Sequence, residues 1–188
     1  MSVNVLARTL DLVLFRAGPQ DFPFMPTRHF MVGVAGGTPV FMVYSLALNP
    51  IIALSMALGT VLGIFVATRL ILRWRKLEDR FTQTAHSLLC ASALLTIMMI
   101  LPFAQIAPAL TAFAADPENV TPPDIPTLPV LIMNLLNAWN FLITANVFRH
   151  ATGSGFGMGL LYSLMSSAVV LGMVLTFGTL LGAMGIGG

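Results

Sequence analysis

The sequence predicts an all-α membrane protein in which a short amphipathic interfacial helix precedes five transmembrane helices. Its composition is 57% hydrophobic and 9% charged, whereas an ordinary soluble domain has about 25% charged residues. The mean hydropathy of +0.90 agrees with this composition. Five apolar stretches have about the 20 residues that a helix needs to cross a bilayer, or more. A chain with so few charges cannot cover a water-facing surface, so most of its surroundings must be lipid.

Residues 1–18 have the periodicity of an amphipathic helix. On a helical projection one face is apolar and the other carries Asn4, Arg8 and Asp11. The apolar face consists of Val3, Leu6, Ala7, Leu10, Val13 and Leu14. Two interpretations remain open: a helix lying in the membrane interface, or a helix packed against the cytoplasmic ends of the bundle. A Pro-rich connector follows over residues 19–29.

The transmembrane domain covers residues 30–188. Its predicted spans are about 30–48, 50–72, 84–107, 128–148 and 158–184. Asn49 and Pro50 predict a tight hairpin between the first two spans. Pro102 and Pro108 are expected to kink or fray the far end of the third. Prolines and acidic residues over residues 114–127 predict an extended loop on the outer side of the membrane.

All nine Lys and Arg residues fall on one side of this five-span topology. They precede the first span, join the second to the third, or follow the fourth. Basic loops are retained on the cytoplasmic side of a membrane. The sequence therefore predicts a cytoplasmic N-terminus and a C-terminus on the opposite side.

The largest basic cluster joins the second span to the third. It consists of Arg69, Arg73, Arg75, Lys76 and Arg80. Basic residues at a membrane edge attract anionic lipid by about 1 kcal/mol each. We therefore expect contact with lipid headgroups here, and no nucleic-acid surface, because the net charge is only +2.

Small residues recur at the four-residue spacing that lets helix backbones approach closely in lipid. The glycine pairs are Gly33 and Gly37 in the first span, Gly59 and Gly63 in the second, and Gly178 and Gly182 in the fifth. These stripes predict helix contacts within the bundle, or with another subunit or a second copy of the chain.

The fourth span carries a polar stripe formed by Asn134, Asn137, Asn140 and Thr144, within about a third of the helix circumference. Such side chains must meet other helices, a polar cavity or a partner subunit. One interpretation is a groove lined for a substrate. We favour the other, hydrogen bonding between helices, because asparagine is uncharged and no carboxylate lies at a similar depth.

Catalytic and cofactor motifs are scarce. His29, His86 and His150 are predicted near the cytoplasmic ends of three spans, where imidazoles could hold a metal, a haem or a quinone. Amphipathic side chains also settle commonly at membrane edges. The spacing matches no ligand motif, and no protease or hydrolase motif is present. We therefore expect a protein that is not an enzyme and holds neither cofactor nor metal.

Three short strings resemble a family of small proteobacterial inner-membrane proteins whose five-span layout is similar to the Yip1 domain. They are residues 16–23, residues 80–84 and residues 146–150. The chain lacks the Asp-Leu-Tyr-Gly-Pro-type signature of eukaryotic Yip1 proteins, so no role in vesicle traffic is implied. The resemblance implies a fold and the inner membrane of a bacterium, which would place the C-terminus in the periplasm.

Three functions follow from these patterns. The first, which the missing catalytic residues favour, is a non-catalytic accessory or scaffold subunit of a larger membrane assembly. The second is a small carrier or channel for a neutral or amphiphilic solute, lined by the asparagine stripe. The third is an electron-transfer subunit that binds its cofactor through the histidines. Membrane lipids and other membrane subunits are the expected partners.

Overall fold

The structure is a computed structural model that describes residues 4–115 and 125–183, with no account of the side chains of residues 181–183. Within those ranges the chain is all helical and has no strand. The six α-helices are α1 (Val5–Val13), α2 (His29–Tyr44), α3 (Pro50–Trp74), α4 (Phe81–Ala115), α5 (Thr127–Thr152) and α6 (Phe156–Ala183). Short 3-10 turns lie at Pro19–Asp21, Pro26–Arg28 and Glu78–Arg80.

Capping residues in the sequence determine where several helices begin and end. The Asn4 side chain accepts hydrogen bonds from the first turn of α1, as an N-cap does. The Asn49 side chain accepts from the Ile51 amide at 2.9 Å, and Pro50 occupies the first position of α3. Gly153 adopts φ 63° and ends α5 in the left-handed conformation that glycine tolerates best.

Four of the described helices are long and apolar enough to cross a membrane. They are Pro50–Trp74, Glu78–Ala115, Thr127–Thr152 and Phe156–Leu180. The first predicted span, residues 30–48, is not among them, because α2 has only 16 helical residues. Its helix rises about 24 Å, against about 30 Å of hydrocarbon. Ser45–Leu48 form turns instead.

The third predicted span is longer than residues 84–107. α4 includes Pro102 and Pro108 and continues to Ala115. Prolines are tolerated within membrane helices because neighbouring groups satisfy the freed carbonyls. The predicted loop over residues 114–127 therefore begins as helix, and its residues 116–124 lie outside the described part of the chain.

The five long helices pack in a closed ring. α2 contacts α3, α3 contacts α6, α6 contacts α5, α5 contacts α4, and α4 returns to α2. Contacts between α3 and α4 cross the ring. The C-terminal ends of α3 and α5 meet the N-terminal ends of α4 and α6, so the basic loops share one end of the molecule.

A hydrophobic core fills that basic end of the ring. Its buried residues are Leu12, Phe22, Ile71, Leu88, Ala91, Leu95, Ile143, Val147, Phe148 and Tyr162. The core draws side chains from α1, the connector and four long helices. It forms the closed end of the bundle.

Helix α1 packs against the bundle. Leu12 is fully buried, and the Trp139 indole of α5 donates to the carbonyl of Val13 at 3.1 Å. Leu6 and Leu10, on the predicted apolar face, remain exposed. The helix therefore turns one face to the protein and leaves its apolar stripe on the surface.

Candidate functional site

The asparagine stripe of α5 leads into a cavity inside the ring. Asn137, Asn140 and Thr144 line this cavity, and Asn134 does not. Asn134 and Asn137 are exposed, whereas Asn140 and Thr144 are half-buried. Three of the four stripe residues thus share one site.

The cavity has a volume of about 420 Å³ and is lined by all five long helices. We call it the chamber. Its polar lining consists of Tyr44, Thr60, Ser92, Thr96, Asn137, Asn140, Thr144, Ser166 and Ser167. Apolar side chains such as Met99, Phe103 and Val170 complete the wall. None of its described lining residues is acidic, basic or histidine.

Several polar groups in the chamber have no internal partner. The side chains of Ser92, Thr96, Asn137, Asn140 and Thr144 make no hydrogen bond to another described residue. Hydroxyls of other helical residues do bond to their own backbone, as Thr60 does to the Met56 carbonyl at 2.9 Å. The polar atoms of the unpartnered side chains remain accessible, since the described side-chain polar atoms that are buried without a partner are His86 Nδ1 and Asn146 Nδ2, which do not line the chamber. The chamber is therefore suited to an occupant that supplies uncharged donors and acceptors.

The chamber is closed toward the basic end. Leu88 lines the chamber and also belongs to the hydrophobic core. Ile143, Val147 and Phe148 of that core are completely buried and continue α5 beyond Asn140. The chamber is thus a blind cavity in this conformation.

The mouth of the chamber lies between α5 and α6. These helices touch closely toward the basic end, where Gly159 faces Ala145 and the Ser163 hydroxyl donates to the Phe141 carbonyl at 2.9 Å. Farther along, the lining residues Asn137, Ser167 and Leu171 are exposed. A molecule could enter through this gap without disturbing the core.

The glycine stripes meet neighbouring helices. A methyl group added to Gly63 would lie 2.8 Å from the Cα of Val170, and one on Gly59 would lie 3.0 Å from the Met173 carbonyl oxygen. These two glycines therefore set the spacing between α3 and α6, and their contact surface on α6 is not its glycine pair. Gly178 faces only Met56, at 3.7 Å, and the surroundings of Gly182 lie outside the described residues.

The predicted glycine pair of α2 packs against a side chain of α3. A methyl group on Gly33 would lie 3.3 Å from Val61, and one on Gly37 would lie 3.1 Å from the same residue. Val61 of α3 is seated between them. Gly36, outside the predicted pair, faces Leu89 of α4 at 3.0 Å.

Two of the three candidate histidines meet. His86 Nε2 lies 2.9 Å from His29 Nδ1, joining α4 to α2. His150 lies apart from this pair, with its Nε2 3.1 Å from the Arg149 guanidinium. The described residues contain no group of three or more potential metal ligands among His, Cys, Asp and Glu.

The basic cluster is divided between the surface and the fold. Arg69, Arg73, Arg75 and Lys76 are exposed. Arg80 is also exposed, but its guanidinium donates to the Ala151 carbonyl at 2.7 Å and so satisfies a carbonyl at the C-terminal end of α5. Contact of the cluster with anionic lipid stays a prediction.

The chain matches no family model, no curated protein and no solved structure. The likeness to the Yip1-type layout stays a prediction.

The sequence did not indicate that α2, α3, α4 and α6 add polar groups to the chamber. Ser92 and Thr96 are four residues apart and therefore lie on one face of α4. This spacing could have indicated a polar face on α4. The sequence does not say which helices are neighbours, so it could not show that this face and the stripe of α5 line the same cavity.

Proposed function

We propose that this protein is a small carrier that binds a neutral or amphiphilic solute in the chamber. The observation that supports this most strongly is the set of unpartnered amides and hydroxyls inside a ring of five helices. The volume of about 420 Å³ lies within the 300–1,000 Å³ of small-molecule sites. Uncharged polar groups favour a solute without net charge, because a buried ion would need a partner of opposite charge.

The scaffold interpretation explains the stripe less well. Asn140 and Thr144 are half-buried and face a cavity of about 420 Å³, a size typical of small-molecule sites. A partner helix could contact Asn134 and Asn137, which are exposed. The electron-transfer interpretation is also less favoured, because His29 and His86 contact each other directly.

The proposal includes five membrane passages in the inner membrane of a bacterium, with a cytoplasmic N-terminus. Helix α2 makes the passage that is added to those of the four longer helices. Its contacts along α3 support this passage, since Gly33 faces both Val61 and Phe65. Beyond α2, the Leu48 amide donates to the Tyr44 carbonyl at 2.9 Å. These turns extend α2 to the level where α3 begins. The common end of the basic loops supports the orientation.

Purified protein in liposomes tests the carrier proposal. We would follow the uptake of neutral polyols and sugars by light scattering, and the binding of a neutral naphthalene-ketone fluorophore by its emission shift. The expected result is saturable binding or flux above empty liposomes, reduced by Asn140→Leu. Asn134→Leu is the matched control, because it makes the same change outside the chamber and should leave both signals intact.

Two outcomes contradict the proposal. Wild-type protein that neither binds the fluorophore nor moves any solute would remove its basis. Equal losses of binding and flux in the two variants would show that the Asn140 amide has no specific role in holding the solute. Loss of co-purifying subunits with Asn134→Leu would support the scaffold interpretation instead.

A further inference from the structure

A second cavity, separate from the chamber, lies on the outside of the bundle between α2 and α3. It is an apolar groove of about 380 Å³ that shares no lining residue with the chamber. Gly33 and Gly37 form its floor, with Val61 seated between them. Exposed Val34 and Leu58 form parts of its walls.

The groove has a polar end at the basic side of the molecule. His29 lines this end, and its ring is held by three neighbouring rings. The ring centroids of Phe65 and Phe81 each lie 5.8 Å from that of His29, and that of His86 lies 4.8 Å away. The orientation of the His29 ring is therefore fixed.

The hydrogen bond between the histidines determines what His29 offers to the groove. The His86 Nδ1 atom is buried without a partner. An unpartnered lone pair costs less than an unpartnered N–H, so we assign the proton of His86 to Nε2. His86 Nε2 then donates to His29 Nδ1, and the proton of neutral His29 must sit on its Nε2. His29 thereby presents a donor.

Two cations lie near this end of the groove. Arg28 precedes His29 in the chain and is exposed. Arg69 of α3 is also exposed, and its guanidinium carbon lies 5.8 Å from the centroid of the Phe81 ring that packs on His29. Neither arginine lines the groove itself, and Arg69 also lines a neighbouring depression together with Glu78 and Asp79. The groove end that carries the His29 N–H is therefore the basic end of the molecule, where a negative group is favoured.

The geometry points to a binding site for an anionic phospholipid, with one acyl chain in the α2–α3 groove and the phosphate beside Arg28, His29 and Arg69. From His29 to Phe41 the groove follows 13 residues of α2, which rise about 18 Å. That length is close to one leaflet, about half of the 30 Å hydrocarbon core. His86 acts as a positioning residue, because it orients His29 without reaching the lipid.

Lipid retention by protein purified in mild detergent tests this site, with phosphatidylglycerol and phosphatidylcholine as the probes in native mass spectrometry. Wild-type protein should retain one phosphatidylglycerol in preference to phosphatidylcholine. Arg69→Gln should weaken phosphatidylglycerol binding about fivefold, which corresponds to about 1 kcal/mol for one lost cation. Arg75→Gln is its control, because Arg75 is also exposed at this end, whereas Arg69 is the arginine that lies over the Phe81 ring beside His29.

A second pair of variants tests the acyl-chain groove. Gly37→Leu should fill the floor and abolish retention of the lipid. Gly172→Leu is the matched control, because Gly172 has open space around it. His86→Phe should lower the preference for phosphatidylglycerol over phosphatidylcholine while the acyl groove remains.

Equal retention of the two lipids by wild-type protein would overturn the proposal, and so would equal weakening by Arg69→Gln and Arg75→Gln. Arg69→Gln lies on the surface, so the test holds even if Gly37→Leu fails to fold. This site does not depend on the carrier proposal. A protein that binds phosphatidylglycerol but neither binds the fluorophore nor moves any solute would contradict the carrier and support the lipid site.

Discussion

Gly63 of α3 faces α6 so closely that its missing side chain sets the distance between the helices. The nearest atom to an added methyl group is the Cα of Val170, at 2.8 Å. A backbone atom cannot rotate away as the end of a long side chain can. In lipid, where apolar surface gives little drive for association, such close approach supplies much of the packing energy.

Gly63→Leu is therefore expected to destabilise the bundle by about 1–3 kcal/mol, as overpacking does elsewhere. The thermal unfolding midpoint in detergent is the measurement. Gly172→Leu provides the comparison, because the same side chain meets nothing within 4 Å there. An unchanged midpoint for Gly63→Leu would mean that α3 and α6 do not pack as described.

Among the elements, α2 departs most from what the sequence predicts. Hydropathy defines apolar segments well but does not say where a helix yields to turns, so the end of α2 at Tyr44 could not be read from composition. The four longer helices could be predicted, because each exceeds the length of a bilayer. The burial of Leu12 was also unpredictable from periodicity, since Leu6 and Leu10 share a more apolar face yet stay exposed.

The candidate site was predictable only in part, for a related reason. The helical spacing of Asn137, Asn140 and Thr144 identifies a shared face. Whether that face meets helices, lipid or a cavity depends on neighbours that are distant in sequence. Ser92 and Thr96 belong to the same chamber only because α4 lies beside α5 in the ring.

A labelling experiment tests whether α2 crosses the membrane. In a Cys90→Ala background, a cysteine at position 45 should react with an impermeant thiol reagent in intact cells. A cysteine at position 76 should react only after permeabilisation. Ser45 and Lys76 are both exposed in the structure, so a difference would report their sides of the membrane. Reaction of the two positions from one side would contradict the crossing by α2.

Across the whole molecule, the basic end of the ring and its middle differ in how they are filled. The basic end is filled by the hydrophobic core and connected through Arg80 and the histidine pair. The middle of the ring is hollow and lined by both polar and apolar side chains, and its exposed lining residues lie on α5 and α6. A bundle that served only to hold other subunits would gain stability by filling this space with side chains, because a void forfeits packing contacts. The hollow is thus the feature that a function must explain.

The accessibility of the chamber to a small molecule tests that central claim most directly. In the Cys90→Ala background, Asn140→Cys places a thiol in the chamber, whereas Ile143→Cys places one in the core at a position that is 0% exposed. The measurement is the rate of modification by a small neutral methanethiosulfonate, with helix content checked by circular dichroism. We expect the thiol at position 140 to react much faster than the thiol at position 143. Equally slow reaction of two folded variants would contradict an open polar chamber within the bundle.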